Sequence, residues 1–550
     1  MSDPGPDPRP SPSSPSPAAA VRLGEAWSRL KRGEAGPARR LLEALIREEP
    51  ALAPPRELLA YALQMQGDLD GAEREMRAAA GLDPAQPAYA AGLAAILRSR
   101  GRDAEARALL QAALVRAPDF APAQELLAAA QEDAGEFAAA EATTRRALAR
   151  RPEDLEAWRR LARVRQAQGD LAGAEESLAH AARLAPADAE VQAALADCIW
   201  MRTGDLAAAL APIEAALRLA PTVSLFATKI RLAGRAGQAG EAYAEARAAA
   251  DRDPANGGLQ GVAAAAAANA GRAEDMLAHA RAMQAARPED AGADRLAAEA
   301  LLRLGRADQA AALLEGLVAG SPLDQGLLAL AALAWRFTGD PRYAALHDYD
   351  RVVRIFEVEP PPGWRDREAL LAAAAERLHE LHGLHRAAAH PLDQSLRGGV
   401  QTSHDLYASR DPVLQALFAA LQAPIARYVD ELGPGGDPLR RRRRTGFRIA
   451  GAWSVRLQAG GFHVSHVHPD GWISSAFYLE TPPSTGRESR EGWLQFGDPG
   501  FPLAAPAPAE HFVEPKPGRL VLFPSYMFHG TVPFSAPQPR LTVAFDVLPT

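Results

Sequence analysis

Three histidines and one arginine near the carboxyl end of the 550-residue chain have the types and spacing of a metal site beside an anion site. His466 and His468 are two residues apart, and side chains of an extended strand alternate between its faces, so both imidazoles point the same way. His529 follows an apolar run and can complete one face of a metal ion. Such a three-ligand face leaves positions open for a co-substrate and O2. Arg540, eleven residues after His529, can bind a carboxylate through two parallel hydrogen bonds.

The segments that carry these residues are predicted to be β-strands. From Phe447 onward, short runs rich in aromatic and β-branched residues alternate with turns rich in glycine and proline. Several short strands at close spacing indicate a sandwich or jelly roll. Helical patterns at residues 367–385 and 411–432 precede the strands, and we expect them to flank the jelly roll.

The chain before residue 341 repeats with one period. Glycines stand at positions 33, 67, 101, 135, 169, 204, 237, 271, 305 and 339, so the intervals are 34, 34, 34, 34, 35, 33, 34, 34 and 34 residues. A proline follows each of the first nine glycines after about seventeen residues. A 34-residue period with a glycine between two helices and a proline after the second is typical of tetratricopeptide repeats. The pattern predicts about nine repeats and a closing helix.

These patterns predict a multidomain chain. Residues 1–20 are rich in proline and serine and are expected to be a disordered tail. Residues 21–340 are predicted to form an all-α tetratricopeptide superhelix, whose groove usually binds an extended peptide or a partner helix. Residues 341–550 are predicted to form the jelly-roll domain. An alternative role for the repeats is to space or assemble the catalytic part.

Composition and charge exclude several classes of function. The net charge of -7 argues against nucleic acid as the main partner, because phosphate binding requires a basic surface. The single cysteine, Cys198, excludes an intramolecular disulfide framework and fits a reducing compartment. No apolar stretch reaches the roughly 20 residues that cross a bilayer, and the first residues lack a signal-peptide pattern. We therefore expect a cytoplasmic protein with no membrane partner.

Other polar and aromatic residues are interpreted as structural. The basic run Arg440–Arg444 is interpreted as a solvated loop that leads into a strand, with an anion-binding patch as the alternative. His180 and His279 are expected on solvated helix faces, and Trp453 and Trp472 are expected in the core. Three further histidines, His379, His382 and His385, are three residues apart. This spacing can place metal ligands on one face of a helix. No carboxylate or further ligand is evident nearby, so a polar helix surface is the favoured interpretation.

The carboxy-terminal region resembles the 2-oxoglutarate- and Fe(II)-dependent oxygenases, and within them a bacterial group often fused to tetratricopeptide repeats. The matching segments are PLDQSLRGG at 391–399, AWSVRL, GGFHVSHVHPDGWISSAFYLETP, FPSYMFHG and PRLTVAFD. This resemblance implies a double-stranded β-helix with Fe(II) and 2-oxoglutarate as cofactors and O2 as co-substrate. It also implies that a substrate C–H group is hydroxylated while 2-oxoglutarate is decarboxylated to succinate and CO2.

The ligand motif departs from the family pattern. The family holds iron with a His-x-Asp or His-x-Glu pair and a distal histidine, whereas here His468 stands two residues after His466. In one assignment His466, His468 and His529 form an all-histidine set. In the other, His468 and Asp470 supply the pair, and His466 faces the substrate or supports a ligand. His463 is expected to face away from His466, outside the ligand set.

The resemblance also implies the 2-oxoglutarate contacts. Arg540 is expected to form a salt bridge with the distal carboxylate, and Thr542 on the same strand face is expected to hydrogen-bond it. Tyr478 is either a further contact or a core tyrosine. The predicted function is an Fe(II)- and 2-oxoglutarate-dependent dioxygenase that hydroxylates a protein or peptide held in the repeat groove. The alternatives are a hydroxylase of a small molecule or glycan, a cupin-like metalloprotein that does not use 2-oxoglutarate, and a scaffold.

Overall fold

The computed structural model describes residues 15–384, 395–402, 405–409, 411–482 and 489–550. Most of the predicted tail, His385 and residues 391–394 of the family resemblance lie outside these ranges. The chain divides into two compact units, residues 1–164 and 165–550. The predicted domain boundary at residue 341 lies inside the second unit and stays a prediction. Among the described residues, no helix combines the length and the apolar character that crossing a membrane requires.

Helices α1 to α19 form the repeats. Their bounds are α1 Pro17–Lys31, α2 Ala35–Glu48, α3 Pro54–Met65, α4 Leu69–Leu82, α5 Pro87–Ser99, α6 Asp103–Arg116, α7 Ala121–Asp133, α8 Phe137–Arg150, α9 Leu155–Ala167, α10 Leu171–Leu184, α11 Ala189–Thr203, α12 Leu206–Leu219, α13 Val223–Arg235, α14 Ala239–Arg252, α15 Gly257–Asn269, α16 Ala273–Ala286, α17 Ala291–Arg303, α18 Ala307–Gly320 and α19 Gln325–Thr338.

Nine of the ten periodic glycines follow the first helix of a repeat, and the tenth, Gly339, follows the closing helix. All have φ between 67° and 86°, a left-handed conformation that glycine adopts without a steric penalty. Alanines such as Ala263 and Ala267 of α15 are fully buried, because a methyl side chain lets neighbouring helices approach closely. The predicted nine repeats correspond to α1–α18 and the predicted closing helix to α19. The predicted tetratricopeptide fold is confirmed, and the number of repeats stays a prediction.

The remaining chain contains short helices and the strands. The helices are α20 Pro341–Leu346, α21 Tyr349–Val352, α22 Arg367–Leu384, α23 Pro412–Leu432 and α24 Pro438–Arg441. The strands are β1 Arg354–Glu357, β2 Leu396–Gln401, β3 Phe447–His463, β4 Ile473–Glu480, β5 Leu494–Phe496, β6 His511–Val513, β7 Arg519–Pro524, β8 His529–Thr531 and β9 Arg540–Pro549.

The strands form two antiparallel sheets. The larger has the order β1-β7-β4-β9-β3-β2, and the smaller has the order β6-β5-β8. Strand β9 shows the period of two: Arg540, Thr542 and Ala544 line the cavity described below. The alternate residues Leu541, Val543 and Phe545 are fully buried in a hydrophobic cluster that includes residues of α22 and α23. The predicted jelly roll with flanking helices is confirmed.

The end of the repeats packs against the strands within the second unit. The Ala504 amide donates to the Arg303 carbonyl (2.9 Å) at the end of α17. The first amide of α19, that of Gln325, donates to the Pro469 carbonyl (3.0 Å), directly after His468. The last repeats and the jelly roll therefore share backbone hydrogen bonds.

A junction cluster ties α19 to the chain before β6. Arg336 of α19 donates to the carboxylate of Glu510 (3.0 Å) and to the Gly497 carbonyl (2.8 Å). Tyr343 and Tyr349 donate to the same carboxylate. This carboxylate therefore has three partners from the helical segment.

The basic run Arg440–Arg444 differs from the predicted solvated loop. Arg440 donates to the Leu432 carbonyl (2.8 Å), and Arg443 donates to the Val429 carbonyl (3.0 Å). Arg442 is half-buried and donates to the carbonyl of Gly471, three residues after His468. The run therefore binds backbone carbonyls at the end of α23 and beside the histidine segment.

Two histidines expected at polar surfaces are buried. His279 is 9% exposed, because its side of α16 faces α15, where Gln260 Oε1 accepts a hydrogen bond from His279 Nδ1 (2.7 Å). His382 is 1% exposed, because this side of α22 packs on the larger sheet, and its Nε2 lies 2.9 Å from Ser454 Oγ. The solvated-surface prediction is therefore wrong for both. His379, partly exposed, lies 2.9 Å from Glu480, and His180 is also partly exposed.

Candidate metal and co-substrate site

The backbone brings the three candidate ligands together. Strand β3 ends at His463, the chain bends at Ser465, and His466 then forms an isolated antiparallel bridge with His529. The two residues exchange both backbone hydrogen bonds, at 2.9 and 3.0 Å. Their ring centroids are consequently 4.4 Å apart, and each lies 5.2 Å from the ring of His468. His466 and His468 thus lie in the segment between β3 and β4, and His529 is the first residue of β8.

Hydrogen bonds at Nδ1 fix the orientation of all three rings. His466 Nδ1 donates to the Val464 carbonyl (2.8 Å), and His529 Nδ1 donates to the Met527 carbonyl (2.9 Å). His468 Nδ1 donates to both carboxylate oxygens of Asp546, at 2.7 and 2.8 Å. Because carbonyl and carboxylate oxygens only accept, the proton is on Nδ1 and the lone pair is on Nε2.

The three Nε2 atoms form a set that fits one metal ion. One ring nitrogen from each of His466, His468 and His529 lies within 4.8 Å of the others. The Nε2 atoms of His466 and His468 are 3.3 Å apart. Ligand atoms about 2.1 Å from a metal and at right angles to each other are about 3 Å apart, which is close to the separation of His466 and His468. Within the described ranges, no other group of His, Cys, Asp or Glu is arranged in this way.

Burial keeps two of the imidazoles neutral. Desolvation, with repulsion from His468, lowers the pKa of His466 to about 4. Desolvation, with repulsion from His466 and then His468, holds the pKa of His529 well below its usual value. Neutral imidazole is the form that binds metals, so these two histidines do not have to lose protons near neutral pH.

Two neighbouring residues were candidates for roles at this centre. Asp470, the alternative ligand, is exposed in the turn after His468 and lies outside the cluster. His463 lines the same cavity as His466, and its Nδ1 is 3.0 Å from Ser395 Oγ. The prediction that His463 faces away is wrong, because the bend at Ser465 interrupts the alternation of a straight strand.

A buried arginine lies elsewhere in the cavity wall. Arg540 is 2% exposed; its Nη1 donates to Thr531 Oγ1 (3.1 Å) and its Nη2 donates to the Tyr478 hydroxyl (3.3 Å). Its Nε is buried without a hydrogen-bond partner, and no carboxylate of the described residues pairs with the guanidinium. A buried cation with an unused donor is suited to an anionic ligand. Thr542, on the same strand face, lines the cavity beside it.

The cavity has a volume of about 370 Å³ and is lined by both sheets. The three histidines, Arg540 and Thr542 all lie on its wall, whereas Tyr478 is fully buried behind the guanidinium. The residues predicted from sequence to bind metal and 2-oxoglutarate thus surround one space.

The two tryptophans have different environments. Trp472 is fully buried and donates to the Leu439 carbonyl (2.9 Å), as expected of a core residue. Trp453 lines the cavity, with its ring centroid 5.8 Å from that of His468. Its predicted place in the core is therefore wrong, because it shares the cavity face of β3 with Val455.

Two site residues were missed from the sequence. Thr531 supports Arg540, and Asp546 binds His468. The period of two was the available signal, because Thr531 is two residues after His529 and Asp546 is six residues after Arg540.

The chain is similar to solved repeat proteins at low identity. MamA from Desulfovibrio magneticus is 17% identical over 30% of this chain and 94% of that one, with a TM-score of 0.28. A thermophilic TPR protein from Thermus thermophilus is 21% identical over 33% of this chain and 98% of that one, with a TM-score of 0.28. A tetratricopeptide repeat protein from Parabacteroides merdae is 17% identical over 47% of this chain and 98% of that one, with a TM-score of 0.31. No curated protein matches.

Family profiles match both parts of the chain. Residues 57–122 and 131–198 match tetratricopeptide repeat families, and residues 279–371 match the family described as "Bacterial transcriptional activator domain". Residues 451–546, which include His466, His529 and Arg540, match the family described as "Putative 2OG-Fe(II) oxygenase". The chain therefore combines tetratricopeptide repeats with a carboxy-terminal domain of this 2OG-Fe(II) oxygenase family.

Proposed function

We propose that the carboxy-terminal domain is an Fe(II)- and 2-oxoglutarate-dependent dioxygenase that hydroxylates a protein or peptide. One observation carries this proposal: three convergent imidazole Nε2 atoms share a cavity with a buried arginine that no described carboxylate neutralises. In this assignment His466, His468 and His529 hold the Fe(II), and Arg540 receives the distal carboxylate of 2-oxoglutarate.

Fe(II) supplies the chemistry that activates O2 and couples it to decarboxylation of 2-oxoglutarate. One oxygen atom enters succinate, the other forms the hydroxyl group of the product, and CO2 leaves. The residues of the chain bind and orient the reactants. The guanidinium of Arg540 can donate two parallel hydrogen bonds to the carboxylate, while Thr531 and Tyr478 hold that guanidinium in place. Thr542, whose hydroxyl donates to the Val455 carbonyl (3.4 Å), is the second polar side chain that would contact the carboxylate from the cavity wall.

Three considerations support a protein or peptide substrate. Tetratricopeptide grooves usually bind extended peptides. The amino end of α19 bonds to Pro469, so the repeats end beside the histidine segment. The cavity of about 370 Å³ is at the small end of ligand pockets, which span about 300–1,000 Å³. After 2-oxoglutarate is bound, the remaining space suits one inserted side chain better than a whole glycan.

The cofactor pair is tested without O2. Fe(II) and then 2-oxoglutarate are added to the full chain, and the visible metal-to-ligand charge-transfer band is recorded. We expect a band in the wild type, its loss in His529→Ala and its weakening in Arg540→Ala. Asp470→Asn is the matched control, because its carboxylate is exposed and outside the cluster; loss of metal in this variant would favour the His468 and Asp470 assignment. A wild type that binds metal but gives no band would overturn the oxygenase proposal in favour of a cupin-like metalloprotein.

The substrate class is tested in the cell of origin. Cells that produce the wild type are compared with cells that produce Arg540→Ala, and their proteins are analysed by mass spectrometry for peptides that gain one oxygen atom. Such peptides are expected only with the wild type. If the difference appears only among small molecules or glycans, the substrate proposal fails while the cofactor proposal stands. We place the protein in the cytoplasm, where Fe(II) and the buried thiol of Cys198 remain reduced.

A further inference from the structure

The all-histidine ligand set leaves one positive charge uncompensated. The usual oxygenase set of two histidines and one carboxylate balances the formal charges, because Fe(II) and the arginine together offset the carboxylate ligand and the 2-oxoglutarate dianion. With three neutral histidines, Fe(II), 2-oxoglutarate and Arg540 sum to one positive charge. An unbalanced charge in a buried cavity is costly. The cavity therefore requires a further anion close to the metal.

Asp546 has both the position and the negative charge that this anion requires. Both of its oxygens accept from His468 Nδ1, at 2.7 and 2.8 Å, and its side chain is 18% exposed. Ser474 Oγ donates to the same carboxylate (2.8 Å), and Ser525 Oγ lies 2.9 Å from Ser474 Oγ. Among the described residues, no lysine or arginine pairs with Asp546, so its negative charge is not offset elsewhere. Its carboxylate contacts the imidazole of His468, whose other nitrogen is the one that faces the metal position.

We infer that Asp546 replaces the missing carboxylate ligand by acting through His468. This inference rests on the proposed function. Asp546 is a positioning residue: it keeps the proton of His468 on Nδ1, points Nε2 at the metal and makes the imidazole a stronger donor. It also returns the one negative charge that a directly bound carboxylate would have supplied. Strand β9 therefore carries two of the proposed functional residues: Arg540 would bind the co-substrate, and Asp546 would act on the metal through His468.

The test separates the charge of Asp546 from its hydrogen bond. Asp546→Asn keeps an oxygen acceptor of nearly the same shape and removes the charge. Co(II), which is stable in air, is the probe, and its dissociation constant for the full chain is measured by competition with a chromophoric chelator. We expect Asp546→Asn to bind Co(II) about 10–100-fold more weakly and Asp546→Glu to recover part of the loss. Asp470→Asn, which removes an exposed carboxylate outside the cluster and keeps Asp546, is expected to bind Co(II) as tightly as the wild type.

A second measurement distinguishes lost charge from a damaged site. At saturating Co(II), the more positive centre of Asp546→Asn should bind 2-oxoglutarate at least as tightly as the wild type, since the co-substrate is a dianion. Two outcomes overturn the inference: Co(II) binding within twofold of wild type in Asp546→Asn, or a parallel loss of Co(II) and 2-oxoglutarate affinity. A wild type that binds neither Co(II) nor 2-oxoglutarate would instead overturn the proposed function.

Discussion

Replacing Arg540 with methionine should abolish tight 2-oxoglutarate binding and leave the metal site intact. The guanidinium can make two charge-assisted hydrogen bonds to the distal carboxylate, each worth about 1.5–3 kcal/mol. Even the lower sum, about 3 kcal/mol, corresponds to more than 100-fold in a dissociation constant, since about 1.4 kcal/mol is tenfold. We expect at least a 100-fold rise for 2-oxoglutarate, measured by titration calorimetry with Mn(II) in place of Fe(II), and an unchanged Mn(II) affinity.

The same substitution should not destabilise the protein without ligands. Arg540 is 2% exposed, its Nε is unpaired and no described carboxylate offsets its charge. Replacing such a group with an apolar side chain of similar length removes an uncompensated desolvation cost. We expect Arg540→Met to unfold at the same urea concentration as the wild type or at a higher one. Such a result would show that Arg540 is kept for ligand binding at the expense of stability.

Arg519→Met is the matched control on β7 of the same sheet. Arg519 is paired with Glu357 at 3.1 Å, so its loss should lower stability slightly and leave 2-oxoglutarate affinity unchanged. The reasoning is refuted if Arg540→Met binds 2-oxoglutarate within fivefold of the wild type. It is also refuted if Arg540→Met loses Mn(II) affinity, because Arg540 would then belong to the metal site.

Three further variants test the fold. Gly271→Ala places a side chain at φ of 71° and should lower the free energy of unfolding by about 1 kcal/mol, whereas Gly316→Ala, inside α18 with open space around it, should raise it by about 0.5–1 kcal/mol in urea titrations. Glu510→Gln weakens the bond to Arg336 (3.0 Å) and should speed hydrogen exchange in α19 without changing exchange in α2. Burial lowers the pKa of His347 to about 3, so from pH 6.5 downward the unfolded state binds a proton that the folded state rejects, and stability falls. His347→Phe should therefore lose less stability than the wild type between pH 6.5 and pH 4, and equal losses would contradict this assignment.

The sequence predicted the repeats well because their physical cause is local. Each periodic glycine marks a left-handed turn that other residues adopt at a cost, so spacing alone locates the helix ends. Alternation along an extended segment predicted that His466 shares a side with His468 and Arg540 shares one with Thr542, whereas their meeting with His529 in one cavity followed from the family resemblance.

Long-range packing explains what the sequence did not predict. His279 and His382 look like surface residues on their own helices, and only the neighbouring helix or sheet buries them. Asp546 was overlooked because its partner, His468, lies 78 residues away along the chain. His463 was placed on the wrong side because the bend at Ser465 depends on the bridge between His466 and His529. Such contacts are set by tertiary structure.

The bond between the Gln325 amide and the Pro469 carbonyl couples the last repeats to the histidine segment. A shift of α19 would displace the carbonyl that follows His468, so a substitution that moves the start of α19 should also move the histidine segment. The Arg303 carbonyl of α17 likewise accepts from the Ala504 amide. The last repeats therefore act as a support for the jelly roll, and replacing them with other repeats would remove backbone hydrogen bonds that the strands use.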